Sequence, residues 1–144
     1  MTTLFPAKQS DDIAQELMRA EGFSSHCYLC PSGQHTIGYG RNIDKSSGLG
    51  ITESEALHLL EGDLARCINE ARRFGWFDDL RPAHQNVIVE LLYVLGFPSF
   101  SGFNRMLSAL SRGDMDTAAD ELLDSRFARQ VPARAERLAC QLRG

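Results

Sequence analysis

No stretch of these 144 residues approaches the run of roughly 20 apolar residues that a helix needs to cross a bilayer. Stable membrane insertion is therefore not expected. The opening residues, Met1-Thr2-Thr3-Leu4-Phe5-Pro6-Ala7-Lys8, lack a basic segment followed by an apolar one. No export leader is expected, and the chain should begin life in a cytoplasm. Positive charge is also scarce. Fifteen Lys and Arg against 19 Asp and Glu leave a net charge of −4, whereas nucleic-acid binders carry a basic excess; no nucleic-acid partner is expected. The local exception is Arg126, Arg129, Arg134, Arg137 and Arg143, which reads either as a solvated helix face or as a contact for an anionic substrate. Repeats, low-complexity tracts and long linkers are absent. Together with the length, this points to one domain spanning residues 1–144. A monomer is expected, although neither length nor composition fixes the oligomeric state. There are only four cysteines, Cys27, Cys30, Cys67 and Cys140; without an export signal, free thiols are the default.

What is present divides the chain by its periodicity. Ser10 with Asp11 and Asp12 reads as an N-cap with an acidic first turn, opening a helix over about 11–22. Ile13, Leu17 and Ala20 keep the helical period and Gly22 ends it. Glu21 then falls in the last turn at the edge of the apolar stripe, where the negative end of the helix dipole and partial burial both disfavour a carboxylate. Residues of about 23–50 are rich in glycine and carry two short runs, Cys27-Tyr28-Leu29 and Thr36-Ile37-Gly38-Tyr39-Gly40, separated by Pro31-Ser32-Gly33. That pattern predicts a β-hairpin or small antiparallel sheet. From about residue 51 the chain reads as helical. Thr52 with Glu55 forms a capping box before a helix carrying Leu57, Leu60, Leu64 and Ile68, with Cys67 in the core. Pro82 opens a central helix carrying Val87, Ile88, Leu91, Leu92 and Leu95 that ends at Gly96. Later helices are expected near 103–112, 115–124 and 133–142. Trp76, Phe77, Phe97, Phe100 and Phe103 read as core or hinge packing. The expected class is α+β, a small β-rich lobe beside a mostly helical one, with a cleft between them as the natural ligand site.

Glu21-Gly22, Tyr28, Gly33 and the run Thr36-Ile37-Gly38-Tyr39-Gly40 together resemble the active-site stretch of phage-type lysozymes, glycoside hydrolase family 24. The family pattern is a Glu, eight residues, usually an Asp, five residues and a Thr. Both gaps are kept, with Glu21 and Thr36 in their places and Cys30 where the family commonly has Asp. The helix ending at Gly96 followed by Phe100 and Gly102-Phe103, and the run Ser125-Arg126-Phe127 through Arg134, extend the resemblance over most of the chain. It implies a lysozyme-like fold and a cofactor-free muramidase acting on bacterial peptidoglycan as an endolysin, released from the host cytoplasm by a holin-like permeabiliser. It further implies that Gln130 contacts substrate and that Arg134 sits near Glu21.

The residue types suit that chemistry on their own terms. Glycoside cleavage needs a proton donor to the leaving oxygen and a group that handles an oxocarbenium-like transition state. Glu21 fits the donor, Thr36 offers a hydroxyl that can hold water, and Tyr39 is placed to touch a sugar. Cys30 is the departure, since a thiol is neutral at its reference pKa of about 8.5 where Asp is charged. It could act as a thiolate if its surroundings lower that value, or position water as a thiol. Cys27 and Cys30 form a C-x-x-C near His26 and His35. No βαβ pattern supports a redox site and no second ligand pair supports zinc, so no metal is expected. A Cys27–Cys30 disulfide would switch the thiol off. A lytic transglycosylase, which can work with one Glu, a cysteine peptidase using Cys30 and His35, and a non-catalytic peptidoglycan-binding module remain as alternatives. Reducing ends, anhydro sugars, free amines or binding without cleavage would separate them.

Overall fold

A computed structural model of the chain describes residues 7–144; the first six residues of the stretch read above for a leader lie outside it. The chain separates into two compact units, Met1–Ala56 and Leu57–Gly144.

In the first unit, α1 runs Ala7–Glu21. The helix thus starts before the expected Ser10 cap, and Ser10, Asp11 and Asp12 lie inside it. Ala7, Lys8 and Gln9 are good helix formers and carry the helix past the Ser-Asp-Asp stretch. Gly22 ends it in the left-handed conformation, φ 70°, with its N–H donating to the Met18 carbonyl at 3.0 Å. Ile13, Leu17 and Met18 are exposed, so the expected apolar stripe buries no core, and Glu21 is exposed rather than partly buried.

Three antiparallel strands follow in the order β1 (Ser24–Leu29), β2 (His35–Gly38) and β3 (Arg41–Asn42). The β1–β2 turn follows from its sequence. Pro31 suits the second position of a type I turn and Gly33 supplies the positive φ, 80°, that must come next. The Gly33 N–H donates to the Cys30 carbonyl at 2.8 Å and the Cys30 N–H to the Gln34 carbonyl at 2.9 Å, closing the hairpin. Beyond β3 a tight loop is pinned by side chains. The Asn42 Oδ1 accepts from the Asp44 N–H at 2.9 Å, and Asp44 accepts from the Ser46 hydroxyl at 2.7 Å. Any side chain at Gly48 would lie 2.5 Å from both Asn42 Oδ1 and the Asp44 nitrogen, so only glycine fits. The capping box is present: the Thr52 N–H donates to Glu55 at 2.9 Å and the Glu55 N–H to the Thr52 hydroxyl at 3.1 Å. Glu55 also receives Arg41 from β3 at 3.2 Å.

Helix α2 (Glu53–Ala71) begins in the first unit and continues into the second. Its buried residues are Cys67 and Ala71; Leu57 and Leu64, expected inside, are exposed. A short 3₁₀ turn at Phe77–Asp79 leads to α3 (Pro82–Leu95), with Pro82 in its first turn and Gly96 at its end, φ 81°. The proline costs nothing there because the first-turn N–H has no helical partner. Val87, Ile88, Leu91 and Leu92 are buried, which makes α3 the central helix expected. Around it come α4 (Phe97–Ser101), α5 (Asn104–Ser111), α6 (Met115–Leu123), α7 (Arg126–Gln130) and α8 (Pro132–Arg143). α6 packs on both α5 and α8, and α3 packs on α8. Phe77 and Phe100 are core residues, with Trp76, Phe97 and Phe103 packed against them. The two five-residue helices, α4 and α7, are too short for a periodic signal to announce them. The class is α+β with a lysozyme-like complement of elements. Among the described residues no helix is long and apolar enough to cross a membrane.

Candidate active site

Glu21 stands in the last turn of α1 and its carboxyl lies over Gly40, in the turn between β2 and β3. A Cβ built on Gly40 would fall 2.5 Å from Glu21 Oε2 and 2.9 Å from Cδ. Gly40 also has a positive φ, 76°. Glycine is required there twice over, once for the turn and once to seat Glu21.

Cys30 and Thr36 lie at the other end of β2. Thr36 is on the middle strand, opposite Tyr28 of β1 and Asn42 of β3, and is a buried polar residue. Its hydroxyl donates to the Gln34 carbonyl at 2.9 Å. Cys30 is half-buried, with its Sγ 3.1 Å from the Ser32 hydroxyl. That hydroxyl is the main reason the thiol is brought down from 9.0 to about 7. The backbone at Gln34 assists, burial opposes, and the Ser32 amide and Thr36 hydroxyl contribute least. The small share of Thr36 is understandable, because its one proton already goes to Gln34. The alternation Cys30-x-Ser32-x-Gln34-x-Thr36 brings these groups to one end of the hairpin, in a site that favours the thiolate.

Tyr39 follows in the same turn as Gly40 and is exposed, its ring 5.5 Å from that of Phe23. His35 is exposed, and its backbone N–H donates to Asp44 at 3.3 Å. Asp44 is held below the usual carboxylate range, first by the Ser46 hydroxyl and then by the Ser46 and His35 amides. Cys27 is an exposed free thiol. Among the described residues no group of three or more metal-binding side chains gathers.

The remaining candidates belong to the second unit. Gln130 lines a cavity of about 410 Å³ with Leu95, Ser99, Phe103 and Arg126. Arg126 and Gln130 are one turn apart on α7 and so share a face. Arg134, on α8, donates through Nε to Glu90 Oε2 at 2.8 Å, and Arg137 donates to the same oxygen at 2.5 Å. Burial pushes the Glu90 carboxyl up, but its bonds to the two guanidiniums outweigh this and hold it below the ordinary value. Arg143 pairs with Asp120. The basic end of the chain is thus partly neutralised by acids, and Arg126 lines a cavity.

The family model for phage lysozyme matches residues 18–138. The chain belongs to the phage lysozyme family. No curated protein matches it. The match takes in Glu21, Cys30, Thr36, Tyr39, Gln130 and Arg134, and it supports a glycosidase of lysozyme type acting on peptidoglycan. Residue spacing did not single out Gly40, Ser32, Gln34 or Glu90. For the first three a signal existed, in the glycine pair flanking Tyr39 and in the polar alternation after Cys30. For Glu90 the clue was a lone acid among the apolar positions of α3.

Proposed function

We propose that this chain is an endolysin that hydrolyses the β-1,4 bond between N-acetylmuramic acid and N-acetylglucosamine, and that it does so as a single catalytic domain. Glu21 gives its proton to the leaving oxygen. The Cys30 thiolate offsets positive charge developing on the sugar, and Thr36 holds the water, which adds to the anomeric carbon as its proton passes to the carboxylate left on Glu21. Tyr39, Gln130 and Arg134 bind the glycan. The observation that carries this reading is the environment of Cys30. Where the resemblance places a carboxylate, the chain supplies a half-buried thiol, with a serine hydroxyl 3.1 Å from its sulfur and an ionisation point near 7. A negative charge is therefore available at that position at neutral pH. The enzyme acts on the wall as a monomer without a cofactor. It reaches the wall from the host cytoplasm once a holin-like partner has permeabilised the membrane, and lysis of the host follows.

The test is loss of turbidity of permeabilised cells, with mass spectrometry of the products. Wild type should release reducing-end sugars, Glu21→Gln should lose at least ~100-fold in rate, as removal of a general acid does, and Cys30→Ser should fall similarly. Near-full lysis by Cys30→Ser would end any catalytic role for the sulfur, and anhydro products would replace hydrolysis with transglycosylation.

A further inference from the structure

We propose that Glu90 is a positioning residue for substrate binding: it grips Arg134 by the Nε edge and so presents the other two nitrogens of the guanidinium to an oxygen-bearing group of the glycan. The inference rests on the reading of Arg134 as a substrate contact and deepens it.

Three observations on the described residues point this way. Glu90 sits on α3 among Val87, Ile88, Leu91 and Leu92, all buried, so its backbone is fixed by the core. Its Oε2 accepts from Arg134 Nε at 2.8 Å and from Arg137 at 2.5 Å, both reaching across from α8. Arg134 keeps 40% of its side chain exposed, and within its own unit, Leu57–Gly144, no protein bond occupies its two terminal nitrogens. A guanidinium has five N–H donors in a rigid plane. Engaging only Nε leaves the paired terminal donors free, and that pair forms the fork that matches a carboxylate or two neighbouring oxygens.

The arrangement has a physical purpose that an isolated arginine lacks. A free arginine must lose the motion of a long side chain when it closes on a ligand. Here the folded protein has already restricted it. Glu90 also neutralises one of two cations carried one turn apart on α8, which would otherwise repel each other. The carboxylate therefore sets the direction of Arg134 without meeting the substrate itself.

The test uses the full chain and a soluble peptidoglycan fragment, with release of reducing ends giving kcat and KM and a thermal melt run alongside. Glu90→Gln should raise KM about tenfold, the equivalent of one charge-assisted hydrogen bond, with kcat within about twofold. Arg134→Ala should raise KM at least as much, and Glu90→Gln added to Arg134→Ala should change KM no further. If the glutamine variant does not fold, Glu90→Asp keeps the charge, withdraws the oxygen by one methylene and should raise KM in the same direction. A lowered melting temperature with KM unchanged would overturn the proposal by making Glu90 purely structural. Independent, additive effects of the two substitutions would also overturn it. Failure of the underlying reading looks different: a wild type that cleaves nothing removes the enzymatic function, and an Arg134→Ala variant with unchanged KM removes Arg134 from the site.

Discussion

Replacing Gly40 by alanine separates the seating of Glu21 from the stability of the fold. The new Cβ would stand 2.5 Å from Glu21 Oε2 and 2.9 Å from Cδ, well inside contact distance. The atoms it strikes belong to the free end of a flexible side chain, so Glu21 relieves the clash by swinging away at little cost to folding. The stability penalty comes instead from holding an alanine at φ 76°, about 1–2 kcal/mol for an L-residue in the left-handed region. A domain with roughly 5–15 kcal/mol to spare stays folded after such a loss. The catalytic penalty is different in kind. A proton donor moved by about 1 Å costs on the order of 100-fold in rate. Gly113→Ala is the matched control, because Gly113 has φ 75° and nothing within 4 Å of its built Cβ. The two variants should lose similar melting temperature in calorimetry, while only Gly40→Ala loses about 100-fold in kcat on permeabilised cells. Equal activity in the two variants would refute the idea that Gly40 exists to seat Glu21.

Three further outcomes follow from the same structure. Ser32→Ala removes the main support of the Cys30 thiolate. The rise of activity with pH, expected through about 7 in the wild type, should move to more alkaline pH, and iodoacetamide should label Cys30 more slowly at pH 7. His84 is buried with its Nε2 unpartnered, and burial, helped by Arg81, holds its imidazole below the ordinary 6.5. The unfolded chain therefore takes up a proton that the folded chain refuses, so melting temperature should fall as pH drops below about 6.5, and His84→Leu should flatten that slope. Leu91→Ala empties a fully buried position at the centre of α3 and should cost about 2–5 kcal/mol in denaturant unfolding, with m unchanged.

Several of these features were legible in the chain itself. The Pro31-Ser32-Gly33 turn, the Gly22 and Gly96 helix ends, Pro82 in a first turn and the Thr52–Glu55 box all formed as read, and α3 is buried where its apolar period placed it. Each depends on steric rules or hydrogen bonds acting within a few residues, which the order of residues alone encodes. The Ser10 cap failed for a related reason: a strong helix-forming stretch just upstream outweighed a single capping preference. Two apolar expectations also failed. Ile13 and Leu17 of α1 and Leu57 and Leu64 of α2 have the right period but are exposed, because periodicity marks a face and does not supply the surface that covers it.

By itself the sequence determined the local pieces of this protein and the positions of Glu21, Cys30 and Thr36 along them. Only the tertiary structure decided what meets those groups. Gly40 came under the Glu21 carboxyl because the sheet folds back toward the end of α1. The Cys30 thiol ionises more readily because the hairpin turn aims the Ser32 hydroxyl at its sulfur. Glu90 met Arg134, 44 residues away, because α3 and α8 pack face to face. Contacts of that kind depend on where rigid elements come to rest against one another, which no local spacing records.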